Sequence, residues 1–475
     1  MSQCPFFPKP YKNKASTLLT FLLKRRSWLD GLYERSYKMQ TGYVKMPNFD
    51  LYVINDTKEV KRMMVDEVKE FPKSAFLHEL LSPLLGESIF TTNGEVWKKQ
   101  RELLRPSFEM TRISKVFNLM SEAVSDMMKR FEKYPNASII EVDEAMTFIT
   151  ADVIFRTIMS SKLDEEQGKK ILDAFVTFQE QSVHTAMRRM FRFPKWLSYV
   201  LGDRKRAKAG DVIRQALSDI IKPRYDAVSS GKAENFEDIL GSLLLVVDAQ
   251  TNQHFSFEEI LDQVAMLFLA GHETTASSLT WTLYLLSLYP DEQEKAYKEI
   301  IQVLQGENIQ ISHLKQFRYL THIFKESLRL YPPVGFFARE AKKDTKVRDK
   351  MIKKGSGVVI APWLIHRHEG FWANPHEFKP SRFEGEYKKD AYLPFGVGER
   401  ICIGQGFAMQ EAILILANIL KKYKLELEEG FVPDVVGRLT IRSANGMRIK
   451  FSKREPWKES KQEFVPIFAT ALSAI

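Results

Sequence analysis

The segment spanning residues 261–288 constrains this chain more than any other. Apolar side chains occur almost all round its helical circumference. A helix of that kind has no face to give to water, so other elements must enclose it. At about 1.5 Å per residue it is about 42 Å long, and the enclosing body has to be large. The chain can supply that body, with 475 residues of which 44% are apolar. Ser256 is placed to cap the helix, and Glu259 completes the capping-box spacing. Tyr289-Pro290 ends it. No stretch in the chain reaches the roughly 18–20 consecutive apolar residues of a membrane span, so no spanning anchor is expected.

Around this centre the pattern from about residue 57 to 305 is mostly helical, with apolar residues at spacings of three and four in Val142–Met159, 171–178 and 212–221. Pro194 and Pro223 punctuate the region, and Gly202 and Gly231 read as loop positions. A second helix covers 312–330 and stops before Pro332-Pro333. A last one begins beyond Cys402 and runs to Lys422. Residues 43–46 and 51–54 read as strands about a Pro47-Asn48 turn, and 357–361 as a further strand. The predicted fold class is mainly α, with a small β-sheet region built from both ends of the chain. No linker, low-complexity block or repeat marks a boundary, so 1–475 is read as one domain, with 1–40 and 455–475 as peripheral segments.

Lysine and arginine total 70 against 60 acids, a net charge of +10 spread along the chain. No basic block interleaved with aromatics stands out, so nucleic acid is not an expected partner. An acidic protein or an anionic membrane surface fits the charge. The two cysteines, Cys4 and Cys402, lie far apart. That excludes a disulfide framework and a cysteine zinc cluster, and fits a reducing, cytoplasmic location. The apolar stretch 17–23 precedes Lys24-Arg25-Arg26 without a small-residue cleavage site. It reads as a short surface helix and not as a signal peptide.

Chemistry concentrates in four places. The first is Phe395-Gly396-Val397-Gly398-Glu399-Arg400-Ile401-Cys402-Ile403-Gly404, where glycines allow a tight loop ahead of a helix N-terminus whose amides and dipole favour a thiolate at Cys402. The second is Glu326-Ser327-Leu328-Arg329, an i, i+3 pair on one helix face. The third is Ala270-Gly271-His272-Glu273-Thr274-Thr275 in the central helix. There Gly271 is expected to open space, and Thr274 can bond back to Ala270 or turn into a cavity. With the Glu273 acid this suggests a proton relay beside a small pocket. His272 is expected to be satisfied by hydrogen bonds. The fourth is Trp97 and Arg101, one turn apart on a helix.

The first string matches the haem-ligand signature of the cytochromes P450, Phe-Gly-x-Gly-x-Arg-x-Cys-x-Gly, at every fixed position. The other three resemble that family's Glu-x-x-Arg helix, oxygen-binding motif and Trp-x-x-x-Arg pair. Phe378-Lys379-Pro380-Ser381-Arg382-Phe383 resembles its Phe-x-Pro-x-Arg-Phe segment. The resemblance implies the cytochrome P450 fold with its long central helix over haem b, and Cys402 as the thiolate ligand of the iron. It implies propionate or ring contacts from Trp97, Arg101, Arg339, Phe395, Arg400 and Gly404. It implies a structural network of Glu326, Arg329 and Arg382, with Thr274 steadying dioxygen and Glu273 relaying protons. The expected substrate pocket is lined by Phe268, Ala270, Val334, Phe336, Phe337 and Leu439, under a loop at 76–89. The implied activity is a monooxygenase placing one atom of O2 into a C–H bond of a small organic substrate, by hydroxylation or oxidative O-dealkylation. A separate ferredoxin or flavodoxin, with its NAD(P)H reductase, would supply electrons by docking near Lys98, Lys99, Arg105, Lys421, Lys422 and Lys424. A haem-thiolate peroxygenase or isomerase, or a haem sensor, is the alternative.

Overall fold

The computed structural model describes residues 5–13, 27–45, 50–190, 193–232, 237–248 and 252–455. The expected Pro47-Asn48 turn and the 17–23 helix lie outside them. The principal helices are α1 (Ala75–Leu85), α2 (Gly94–Leu104), α3 (Phe117–Glu132), α4 (Val142–Met159), α5 (Glu165–Met190), α6 (Arg204–Ser229), α7 (Phe257–Leu288), α8 (Pro290–Leu304), α9 (Arg318–Leu330) and α10 (Gln405–Lys422). The strands that matter here are β1 (Thr41–Lys45), β2 (Asp50–Ile54), β3 (Ser138–Glu141), β4 (Phe337–Glu340), β5 (Gly357–Ile360), β6 (Tyr423–Leu427), β7 (Val435–Gly437), β8 (Ile441–Ser443) and β9 (Arg448–Lys453).

The central helix α7 forms for the reasons visible in its sequence. Ser256 Oγ accepts from the Glu259 amide at 3.3 Å, and Glu259 reaches back to the Ser256 amide at 2.8 Å. Most of its length is buried, with α4, α6, α9 and α10 packed around it. Gly271 faces α4, where a Cβ would run into the Ile154 side chain. Its small size therefore serves close helix packing, where open space had been expected.

Strand order in the largest sheet is β1-β2-β5-β4. The N-terminal hairpin pairs antiparallel, β2 lies parallel to β5, and β4 closes the edge with Arg339 opposite Val358. This sheet therefore joins the N-terminal hairpin to strands from the last third of the chain. A second sheet, β3-β9-β6, and the β7-β8 hairpin lie along α4 and α7.

Three local expectations need correction. Residues 312–330 divide into a short helix, Ile311–Leu314, and α9, because the Gln316 and Phe317 amides both close on the His313 carbonyl and the chain turns there. Pro223 does not interrupt α6 but lies inside it. The 76–89 segment is largely the helix α1, capped by Ser74 Oγ, and not a loop.

Candidate active site

The thiol is held by a loop that only glycine permits. Gly396 and Gly398 have φ of 77° and 75°, a region costly for residues with a Cβ. A Cβ at Gly398 would also strike the Met64 carbonyl. The Cys402 amide donates to the Phe395 carbonyl at 2.9 Å, and the Leu393 amide donates to His366 Nε2 at 2.8 Å. Burial, then the nearby Arg329 charge, pushes the His366 imidazole down to about 3. It is therefore neutral, and its remaining proton lies on Nδ1, 3.2 Å from the Arg329 carbonyl.

His366 thus ties the cysteine loop to the charge network behind it. Glu326 and Arg329 are fully buried and pair in bidentate fashion at 2.7 and 2.8 Å. Arg329 also donates to the carbonyls of His366, Pro375 and Glu377. Arg382 reaches Glu326 at 3.1 Å, and the Lys379 amide reaches it at 3.0 Å. Glu326, Arg329 and Arg382 are therefore in mutual contact.

Cys402 has accessible surface, yet it sits deep enough in protein for burial to push its thiol up from the ordinary value. The two observations agree if the sulfur lines an internal hollow. The Gly404 amide and the Arg101 charge act the other way but do not outweigh burial. The helix terminus alone is thus weaker than expected as a source of thiolate. Beside Gly404 a Cβ would meet no other atom within 4 Å, so the protein leaves that side open.

Next to the sulfur lies a cluster of cations. Lys73, Arg101, Arg339 and Arg400 share one region, and burial lowers the affinity of each for its proton. Arg339 and Arg400 fall to about 10. Lys73 bridges to Arg339 through the backbone, and its Nζ donates to the Phe90 carbonyl at 2.6 Å. Arg400 lies 3.7 Å over the Trp97 ring and donates to Thr92 and Asn93. Among the described residues no carboxylate forms a salt bridge with any of the four. Buried like charges without a counter-ion are costly, so this cluster fits a dianionic group brought by a ligand. Haem b, with two propionates and an iron that takes a thiolate, has the required chemistry. Lys73 was missed from the sequence, since nothing marks a lone lysine after a proline.

The opposite wall is α7. Ala270, Gly271 and Thr274 are only half-buried in the middle of an otherwise enclosed helix. Ala270 and Thr274, one turn apart, share one face of α7, while Gly271 is turned toward Ile154 of α4. Thr274 Oγ1 donates to the Ala270 carbonyl at 2.6 Å. Phe395, Val334, Phe336, Phe337 and Leu439 are likewise half-buried, and Phe337 lies beside Gly396. Phe268 differs from the expectation. It is 1% exposed and packs edge-on against Phe155 and flat on His272, in the core between α4 and α7. His272 Nδ1 is 2.6 Å from the Phe268 carbonyl, and burial keeps the ring neutral.

Glu273 is held in an ion pair. Its carboxylate meets Arg442 at 2.7 and 3.1 Å and the Thr440 hydroxyl at 2.6 Å, and Arg442 continues to Asp143 at 2.6 Å. Burial works to raise its pKa, but Arg442 outweighs it and holds the carboxyl at about 2. Near neutrality it has no proton to give. The sequence did not reveal Arg442, which lies in the short strand β8.

The basic docking patch is largely neutralised. Lys98 pairs with Glu95, Lys99 with Asp248, Lys422 with Glu132 and Lys424 with Glu426. Among the described residues no helix is long and apolar enough to cross a membrane.

The cytochrome P450 family model matches residues 27–449. The chain is 30% identical over 420 residues to cytochrome P450 72A68 of Medicago truncatula, covering 84% of this chain and 79% of that protein. It is 30% identical over 420 residues to the 11-oxo-beta-amyrin 30-oxidase of Glycyrrhiza uralensis, covering 84% and 78%. The crystal structure of the cytochrome P450DA heme domain superposes with a TM-score of 0.80 at 25% identity, over 94% of this chain and 98% of that one. The signature loop at Cys402, the cation cluster beside it and these matches lead to one conclusion: the chain belongs to the cytochrome P450 family, as an oxidoreductase of the monooxygenase type that uses haem b and dioxygen.

Proposed function

We propose that this protein inserts one oxygen atom into a C–H bond of a lipophilic small molecule, by hydroxylation or oxidative O-dealkylation. What supports the reading is that Ala270, Val334, Phe336, Phe337 and Leu439, the apolar positions expected to line the pocket, are all only half-buried. Such a lining gives an apolar substrate its binding energy through burial, at about 25 cal/mol per Å². The oxidase and the cytokinin hydroxylase among the relatives support oxidation of a carbon centre.

In this reading haem b supplies oxygen activation, with thiolate electron donation favouring O–O cleavage. The chain does the rest. Cys402 would hold the iron through its sulfur. Lys73, Arg101, Arg339 and Arg400 would hold the propionates, with Trp97 supporting Arg400. Phe395 and Gly404 would lie beside the group. Thr274, on the half-buried strip of α7, would keep its hydroxyl on the Ala270 carbonyl and offer its oxygen to the oxygen-binding side. Glu273 fixes Arg442 and with it the Thr440 turn next to Leu439. Glu326, Arg329 and Arg382 brace the cysteine loop from behind. Electrons come from a separate ferredoxin or flavodoxin with its NAD(P)H reductase.

The test is a panel of terpenoids, fatty acids and aromatic ethers added to the ferric protein. A ligand that displaces iron-bound water shifts the Soret band, and the compounds that do so are then incubated with NAD(P)H and a redox chain. Oxygenated product supports the reading. Binding shifts without product under any electron source would overturn it in favour of a carrier or sensor.

A further inference from the structure

Trp28 opens the short turn Trp28–Gly31 and is half-buried. The residue before it fixes where it lies. Ser27 is buried, and its Oγ accepts from the Gly437 amide at 2.8 Å and from the Leu29 amide at 3.2 Å. The turn accordingly packs on β7. This sets the indole against two segments remote in sequence. One follows Pro332-Pro333, where Val334 and Phe336 flank Gly335. The other joins β7 to β8, with Leu439 two residues beyond Gly437. These are the two segments that carry most of the expected pocket outside α7.

A Cβ on Gly335 or on Gly437 would run into the Trp28 ring. Neither glycine has a left-handed backbone, so the indole, with Ile441 also beside Gly335, is what bars a side chain there. The Phe336 ring meets the indole edge-on, with centroids 5.2 Å apart, an arrangement aromatic pairs favour. Backbone bonds already hold the two segments: the Ile441 amide donates to the Pro333 carbonyl at 3.0 Å, and the Trp363 amide to the Gly335 carbonyl at 3.2 Å. Those bonds place the chain but leave the Phe336 side chain its choice of rotamer, which a packed neighbour decides. Among the described residues Trp28 is the aromatic neighbour of that ring.

We propose that Trp28 is a positioning residue for substrate choice. Its indole fills the slot between Gly335 and Gly437, holds the Phe336 ring edge-on, and so limits the width of ligand the pocket takes. The proposal rests on the lipophilic-substrate reading above.

The test uses two apolar series of different width, linear fatty acids and polycyclic terpenoids. They are titrated into the haem-loaded wild type, Trp28→Ala, Trp28→Phe and Gly437→Ala, with affinity read from the Soret shift. A methylene of pocket volume is worth about 10–200-fold in discrimination, so Trp28→Ala should move the ratio of affinities at least about tenfold toward the terpenoids. Trp28→Phe keeps a ring against Phe336 and should restore most of the wild-type ratio. Gly437→Ala keeps the indole but pushes it aside, and should move the ratio as well. In a Phe336→Ala background, Trp28→Ala should move it far less, because the ring it positions is gone. An unmoved ratio in Trp28→Ala, or an equal loss of affinity for both series, would reduce Trp28 to packing and overturn the proposal. Should Trp28→Ala fail to load haem, Gly437→Ala decides, and an unmoved ratio there overturns it. A wild type that no compound shifts, or that shifts without oxygenated product, would defeat the monooxygenase reading. Product from the wild type with an unmoved ratio defeats the Trp28 assignment alone.

Discussion

Arg329→Met is the sharpest probe of what holds the cysteine loop. Methionine keeps much of the side chain's volume and removes five donors. The bidentate pair with Glu326 is lost, and three buried carbonyls, those of His366, Pro375 and Glu377, lose a partner. Breaking a buried pair from one side costs about 3–5 kcal/mol. The carbonyls do not add in full, because the loop can relax around them. Arg382 and the Lys379 amide still reach Glu326 and limit the cost of its stranded charge. The net expectation is about 3–5 kcal/mol against a total stability of about 5–15 kcal/mol. Arg382→Ala removes the 3.1 Å contact to Glu326 and two exposed bonds to the Ala373 and Asn374 carbonyls, and should cost about 1–2 kcal/mol. Urea unfolding followed by far-ultraviolet circular dichroism measures both, and the carbon-monoxide band reports the loop in the same samples. His366 links Arg329 to Leu393, so Arg329→Met should also weaken the thiolate band. The reasoning fails if Arg382→Ala is the more damaging of the two, or if Arg329→Met leaves the urea midpoint where it was.

Cys402→Ala should retain the fold yet lose the red-shifted Soret band of the reduced carbon-monoxide complex; an alanine variant that keeps the band would remove Cys402 as the ligand. Lys73→Met should lower haem affinity while leaving the apoprotein equally or more stable, since it relieves repulsion with Arg101, Arg339 and Arg400; haem transfer to an acceptor apoprotein and thermal unfolding of the apo form test both directions. Acid should destabilise the protein in two windows. His366 has a folded pKa depressed to about 3, so its contribution is present above its unfolded pKa of about 6.5 and is lost as pH falls from there toward 3. Glu273, depressed to about 2, contributes about 3 kcal/mol above pH of about 4.5 that is lost as pH falls toward 2. Glu273→Gln should flatten the second limb alone in pH-dependent urea titrations. Phe337→Ala, beside Gly396, should change which ligands shift the Soret band with haem content intact; loss of haem would make that ring part of the packing.

What was legible in the sequence follows from how local each signal is. The α7 cap, its length and its burial were readable because Ser256, Glu259 and an unbroken apolar run are contiguous. α4 was readable for a similar reason, its limits being those of the helical periodicity. Cys402, Glu326 and Arg329 stood out because their spacing along the chain is itself the signal. The partners that decide what α7 can do come from far away. Arg442 lies 169 residues from Glu273, and Asp143 lies 299 from Arg442. No helix periodicity encodes that meeting, so the relay assigned to Glu273 missed its ion pair. Phe268 failed for a related reason. On a helix buried all round, sequence alone does not say which side meets α4 and which meets the hollow.

The two sides of the cysteine loop are stabilised in different ways, and this bears on when the site forms. Behind the loop, Glu326 pairs with both Arg329 and Arg382, and backbone carbonyls take the remaining guanidinium donors, so the brace is satisfied within the chain. In front of it, four cations face one another, and among the described residues no carboxylate forms a salt bridge with any of them, Glu399 acting on Arg400 only at longer range. The rear brace can therefore form as the chain folds, while the front closes at a cost until an anionic group arrives. Binding that neutralises such a cluster stabilises the folded state by mass action. Haem loading should thus raise the unfolding temperature and protect amides of α2 and of residues 398–404 from hydrogen exchange. It should leave α9 nearly as protected as before. Equal gains in α9 and α2 would mean that the brace also waits for the cofactor, and the division between the two sides would be wrong.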